Sequence, residues 1–241
     1  MTVRRDLGAL ESEGLVRRLV GGRAAMIDLP NREPALADRF THQHGTKAHI
    51  GRAVADLIAP NEVLFLDGGT TALAVARALR LAGAHHTILT RSLLIAAEFV
   101  EHPEVEVFLL GGRLRSSEMA TSNSFRTNDL MHYNIDTYVM GISGVHPTRG
   151  LTDYDPDESA DKRRALACAH RTVLVADASK LGKVFLSRVA GVDAVDILAT
   201  DAGADSNYLD QLSTSLSVVV ASDTSARTRP PAAENWRRTD A

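Results

Sequence analysis

Val63-Leu64-Phe65-Leu66-Asp67-Gly68-Gly69-Thr70-Thr71, followed by Ala72 to Leu79, is the stretch whose reading decides the fold. Four consecutive apolar residues read as a short buried strand, two glycines as a tight turn, and the alanine-rich run behind them as a helix. A loop of this kind presents backbone N–H groups and two hydroxyls at a helix N-terminus, where the helix dipole also favours negative charge. It has the chemistry to hold a phosphate.

Working outward, the same alternation recurs. Short β-rich runs at Thr87 to Thr90, Val105 to Leu110, Thr137 to Ile142, Thr172 to Ala176 and Ala194 to Thr200 are each followed by glycine or polar turns and then by helical stretches. Continuous apolar strands alternating with helices predict an α/β domain, a mostly parallel Rossmann-like sheet with helices on both faces. In such sheets ligands sit beyond the carboxyl ends of the strands.

Those ends carry a family of small-residue loops. Beside Asp67 to Thr71 there are Thr90-Arg91-Ser92, Gly111-Gly112-Arg113 and Gly141-Ile142-Ser143-Gly144. A glycine at one strand end is often turn geometry alone, but several at equivalent ends of one sheet argue for a shared site. Lys162, read as opening a helix after Gly150-Leu-Thr-Asp-Tyr-Asp155, and Lys180, ending Asp177-Ala-Ser-Lys180, supply ammonium groups suited to a phosphate or a sugar hydroxyl. A solvated surface lysine is the alternative reading of each.

Composition sets the remaining bounds. The 241 residues, 44% hydrophobic, suffice for a substantial core. A formal charge of −3, from 27 basic and 30 acidic side chains, gives no global pull toward nucleic acid, so DNA contact requires a local basic surface. Cys168, the single cysteine, has no internal disulfide partner and reads as a small helical residue. No signal-peptide pattern and no long apolar run is present, so a cytoplasmic protein without membrane contact is expected. His42, His44, His49 and the pair His85-His86 lack zinc-ligand spacing; neither metal nor cofactor is expected.

The N-terminus reads differently. Val3, Leu7 and Leu10 recur at helical spacing up to Gly14, and Leu15 to Gly22 alternates like half a hairpin. The expected organisation is an N-terminal element over residues 1–23, a linker over 24–45 passing into a helix that ends near Ile58, an effector domain over 46–221 and a disordered tail over 222–241.

Taken together, Val3 to Arg18 with Gly21-Gly22, then Asp67 to Thr71, Gly111-Gly112, Gly141 to Gly144, Lys162-Arg163 and Asp177 to Lys180, resemble transcriptional regulators of the DeoR type in order and spacing. The resemblance covers nearly everything except the tail. It implies a winged helix-turn-helix joined to a sugar-phosphate sensor whose fold is similar to ribose-phosphate isomerases, glucosamine-phosphate deaminases and CoA transferases. The implied partners are a phosphorylated sugar or related metabolite, operator DNA and further copies of the chain in a homo-oligomer, and the implied activity is repression.

Carried over residue by residue, the effector site comprises Asp67, Gly68, Gly69, Thr70, Thr71, Arg91, Ser92, Gly111, Gly112, Arg113, Gly141, Ser143, Gly144, Lys162 and Lys180. The DNA contacts are Thr2, Arg4, Arg5, Arg17 and Arg18. On the same resemblance the sequence opens inside the recognition helix, so operator binding is expected to require two preceding helices. Arg91 stands where the family more often has asparagine, which favours a more anionic ligand. Two further readings stand beside the regulator. One is an isomerase-like or deaminase-like enzyme using Asp67, Asp153, Asp155 or Asp157; the other is a DNA-independent sensor acting through oligomerisation. On the regulator reading, Lys162→Ala is expected to weaken effector binding without unfolding the domain.

Overall fold

The computed structural model of the chain describes residues 16–19, 23–26, 33–122, 129–222 and 227–229. Two units separate, residues 1–33 and 34–241. In the first, β1 (Val16–Leu19) pairs antiparallel with β2 (Arg23–Met26), Val16 opposite Met26, completing the hairpin of which the sequence showed half. Arg17 and Arg18 lie on β1, whereas Thr2, Arg4 and Arg5 lie outside the described residues.

The second unit opens with α1 (Leu36–Thr41) and α2 (His44–Ala55), then runs β3 (Val63–Leu66), α3 (Thr70–Ala82), β4 (His86–Thr90), α4 (Leu93–Glu98) and β5 (Val105–Leu109). A hairpin of β6 (Arg113–Arg115) and β7 (Ala120–Ser122) follows, then β8 (Ile135–Gly141), β9 (Gly144–His146), β10 (Gly150–Asp153) and α5 (Pro156–Cys168). The chain continues through β11 (Ala169–Val175), β12 (Ser187–Ala190), β13 (Ile197–Asp201), α6 (Ser206–Leu212), β14 (Ser217–Ala221) and β15 (Arg227–Arg229).

Eight strands form the main sheet in the order β15-β14-β13-β11-β8-β3-β4-β5. All neighbours are parallel except β15, which runs antiparallel to β14. The α/β expectation with a mostly parallel sheet therefore holds. From β3 the chain moves outward through β4 to β5, whereas from β8 it moves the other way through β11, β13 and β14. The order reverses between β3 and β8, which makes their carboxyl ends the switch point where α/β sheets open a crevice.

Side-chain alternation builds both faces of the core. Leu64, Leu66, Val139, Val173 and Val175 face α2, α3 and α4, packing with Ile50, Val54, Leu73, Val75, Leu79, Ile95 and Phe99. Phe65, Tyr138, Met140 and Leu174 project to the other face, where Leu130, Leu151, Ala165, Leu209 and Leu212 cover them. Helix starts follow from local chemistry: the Ser92 hydroxyl caps α4, the Asp155 carboxylate caps α5 with Pro156 behind it, and Asp205 caps α6.

Four segments depart from the sequence reading. Residues 24–45, expected as linker, include part of β2, all of α1 and the start of α2. The Ser217-Val-Val-Val-Ala221 run, absent from the expected strands, is β14, buried at Val218, Val219 and Ala221. Within the expected tail, Arg227–Arg229 pair with Val218–Val220, and residues 223–226 and 230–241 lie outside the described residues. A small sheet of β12, β10 and β9 was not foreseen, because its short strands are set by tertiary pairing.

One glycine fixes how closely α2 and α3 approach. A Cβ built on Gly51 would stand 2.4 Å from the Ala74 carbonyl oxygen. Glycine to alanine inside a helix ordinarily gains about 1 kcal/mol, but overpacking against backbone costs roughly 1–3 kcal/mol. Gly51→Ala is therefore expected to lower the melting temperature, while Gly45→Ala, with nothing within 4 Å, leaves it unchanged or raises it; calorimetry of both variants is the check.

Candidate functional site

At the switch point the loops after β3 and β8 touch. The Asp67 N–H donates to the Val139 carbonyl at 3.1 Å, and the Gly141 N–H donates to the Asp67 Oδ2 at 3.2 Å. A Cβ on Gly141 would lie 3.1 Å from the Gly68 carbonyl oxygen, so glycine there permits the close approach. Asp67 Oδ1 takes the Gly68 N–H at 2.9 Å, which folds the carboxylate back under its own loop.

Gly69 then takes φ +98°, a conformation open to glycine, and delivers the chain into α3. No side chain caps α3, in contrast to α4 and α6, which also follow strands of this sheet. The first turn of α3 thus presents backbone donors that no side chain of the helix satisfies, and the Thr70 and Thr71 side chains stand half-buried beside them. Donors and dipole together have the chemistry that favours an anion.

Lys162 lies next to this loop, and its position corrects the sequence reading. α5 begins at Pro156, so Lys162 sits in its second turn, 3% exposed. Its Nζ contacts Asp67 Oδ2 at 3.1 Å, Asp153 Oδ2 at 3.0 Å and Glu158 Oε1 at 2.6 Å. Burial works against the ammonium, but Asp153, Asp67 and Glu158 outweigh it and hold its pKa well above that of a free lysine.

The carboxylates answer differently. Burial raises the Asp67 pKa, with Lys162 opposing. Burial also pushes up on Glu158, yet Lys162 and Arg115 overcome it and bring that carboxyl down to about 2. Arg115 on β6 spans Asp155 at 3.0 Å and Glu158 at 3.1 Å, tying the hairpin to the start of α5. Ser143 hydrogen-bonds Asp153, which brings the β8 loop into the same network.

A basic group adjoins this acidic one. Lys180, half-buried in a short helical turn that Asp177 caps, has its pKa lowered by burial; Asp177 and Asp153 are its nearest negative neighbours. Its Nζ has no hydrogen-bond acceptor among the described residues. Lys47, on α2 and 5% exposed, is a charged neighbour of Lys180 and Asp177 that sequence reasoning did not single out. Burial lowers its pKa, and its charged neighbours are Asp177, Lys180 and Arg39. No motif marks it; only its place on α2 relative to the strand ends brings it here.

Other expected residues have structural employment. Ser92 spends its hydroxyl on the α4 cap, accepting from the Ile95 N–H at 3.3 Å. Arg91 is 8% exposed, and its Nη1 donates to the Gly111 carbonyl at 3.0 Å, bridging the loops after β4 and β5. A Cβ on Gly144 would meet the Lys183 carbonyl oxygen at 2.6 Å, so that glycine answers to packing. Gly112 and Arg113 are exposed where β6 begins. Away from the switch point, a groove between α1, α3 and α4 is lined by Phe40, Leu73, Arg77 and Leu94.

Set against known proteins, the geometry has a clear context. The DeoR C-terminal sensor domain model matches residues 42–202. The chain is 32% identical over 201 residues to the glycerol-3-phosphate regulon repressor of Escherichia coli K12, covering 83% of this chain and 79% of the relative. It is 32% identical over 213 residues to the transcriptional regulator GlpR of Haloferax volcanii, covering 88% and 82%. A ribose 5-phosphate isomerase A structure from Methanocaldococcus jannaschii aligns with TM-score 0.43 and 18% identity, over 58% of this chain and 56% of that one. The chain belongs to the DeoR family of transcriptional regulators and carries its C-terminal sensor domain.

Two predictions follow from the charge cluster. Removing the Lys162 ammonium would leave three carboxylates facing one another with no central cation, a change that costs roughly 3–5 kcal/mol. Lys162→Met is thus expected to lower stability in urea denaturation by that order. The Glu158 pKa falls from 4.5 to about 2 on folding, so the stability it contributes is complete above pH 4.5 and is lost as pH falls toward 2. Glu158→Gln should flatten that part of the acid-denaturation profile.

Proposed function

We propose that this chain is a phosphosugar-responsive repressor of the cytoplasm, acting as a homo-oligomer on operator DNA through its N-terminal element. The single observation that carries the effector reading is the uncapped, glycine-led N-terminus of α3 at the switch point of the sheet. The phosphate would lie against the amides of Gly69, Thr70 and Thr71, with Lys180 as the mobile cation. The sugar hydroxyls would donate to the accessible edges of Asp67 and Glu158, whose carboxylates keep accepting capacity beside the fully engaged Lys162 ammonium.

The relatives' names as a glycerol-3-phosphate regulon repressor and a transcriptional regulator support regulation over catalysis. Buried ion pairs also offer a plainer role for Asp67 than proton transfer, since its carboxylate is already shared among Lys162, Gly68 and Gly141. Regulation then follows from linkage. If the effector and the operator favour different arrangements of the oligomer, each weakens the other's binding by the same factor.

The test is ligand-induced stabilisation. Sugar phosphates are expected to raise the melting temperature in a concentration-dependent way, and the parent sugars to leave it unchanged. Lys180→Gln should cost about tenfold or more in phosphate-compound affinity, the worth of a charge-assisted hydrogen bond, without shifting the unliganded melting temperature. Equal responses to sugars and sugar phosphates would refute the reading.

A further inference from the structure

Lys47 makes two contacts that the effector site itself does not need. Its Nζ donates to the Arg39 carbonyl at 2.6 Å and to the His42 carbonyl at 2.6 Å, the last carbonyls of α1. A helix C-terminus leaves such carbonyls without intrahelical donors and carries partial negative charge, so an ammonium there both satisfies and anchors it. α1 is the first element after residue 33, the last of the N-terminal unit.

The element so anchored is a short helix, held otherwise by Phe40 against the core and by one ion pair. α1 has six residues, no buried side chain and no side-chain cap at its start. Beyond Lys47, the Arg39 side chain pairs with Glu118, in the turn between β6 and β7. Arg39 and Lys47 both stand within electrostatic range of Lys180, and Lys47 also of Asp177. Lys47 and Lys180 thus share the buried carboxylate of Asp177, and Arg39, paired with Glu118, lies within electrostatic range of both.

Two of the three N–H bonds on the Lys47 ammonium go to α1, and the third has no acceptor among the described residues. An anion drawn to Lys180 would relieve the repulsion among Lys180, Lys47 and Arg39 and so favour the Lys47 ammonium in the place where it holds the α1 carbonyls.

We propose that Lys47 is the positioning residue that couples the effector site to α1: an anion at the strand ends strengthens the grip of Lys47 on the α1 carbonyls, so occupancy is read out as tighter docking of α1. This rests on the phosphate reading given above. Coupling then reaches the segment entering the sensor domain through one ammonium shared between ligand and helix, without a change in the sheet.

Hydrogen exchange of the full chain, with inorganic phosphate added against chloride at matched ionic strength, tests it. The expected result is protection of residues 69–73 together with slower exchange over residues 36–43, by about fivefold or more at saturation. In Lys47→Met the slowing at 36–43 is lost even when excess phosphate protects 69–73, and Lys47→Arg restores part of it. Protection of 69–73 in the unsubstituted protein with unchanged exchange at 36–43 would overturn the coupling and leave the phosphate reading standing. No protection at 69–73 would overturn the phosphate reading and the coupling with it.

Discussion

The site depends on the buried ammonium of Lys162. Three carboxylates from three different parts of the chain converge on it: Asp67 from the loop after β3, Asp153 from the end of β10 and Glu158 from the first turns of α5. Each would be costly to bury alone, and the lysine would be equally costly without them. The cluster therefore specifies one arrangement of the strand ends. With Arg115 and Ser143 attached, it also fixes the β6–β7 hairpin and the β8 loop around the glycines after β3.

That arrangement separates two kinds of chemistry. The acidic half is cross-linked through ion pairs to Lys162. Lys180 and Lys47 retain N–H groups without acceptors among the described residues, and the start of α3 has backbone donors with no side-chain cap. A phosphorylated polyol matches this division, with its phosphate at the basic half and its hydroxyls at the acidic one. The burial that lowers the Lys180 and Lys47 pKa values works in the same direction, because an anionic ligand compensates charges that the fold has only partly solvated.

Much of the fold was legible because the strands of the main sheet are buried on both faces and so appear as unbroken apolar runs. Val63–Leu66 and the glycine loop behind it read directly as a strand that turns into a helix, which β3 and α3 are. What escaped the sequence was set by tertiary contacts. β15 has no apolar pattern and exists through pairing with β14, and β9, β10 and β12 are short strands that pair with one another. Lys162 was singled out in the sequence, but its burial was not foreseen. Its depth follows from where Asp155 and Pro156 start α5, one turn and a half earlier than the sequence suggested. Lys47 left no signal at all, since a lone lysine on an amphipathic helix ordinarily points to water.

A crystal structure of the chain with a bound sugar phosphate addresses the central claim most directly. The account predicts phosphorus within hydrogen-bond reach of the Gly69, Thr70 and Thr71 amides and of Lys180, with the Lys162 cluster unchanged and facing the sugar. A phosphate seated elsewhere, such as in the groove between α1, α3 and α4, with the start of α3 left to solvent, would contradict it.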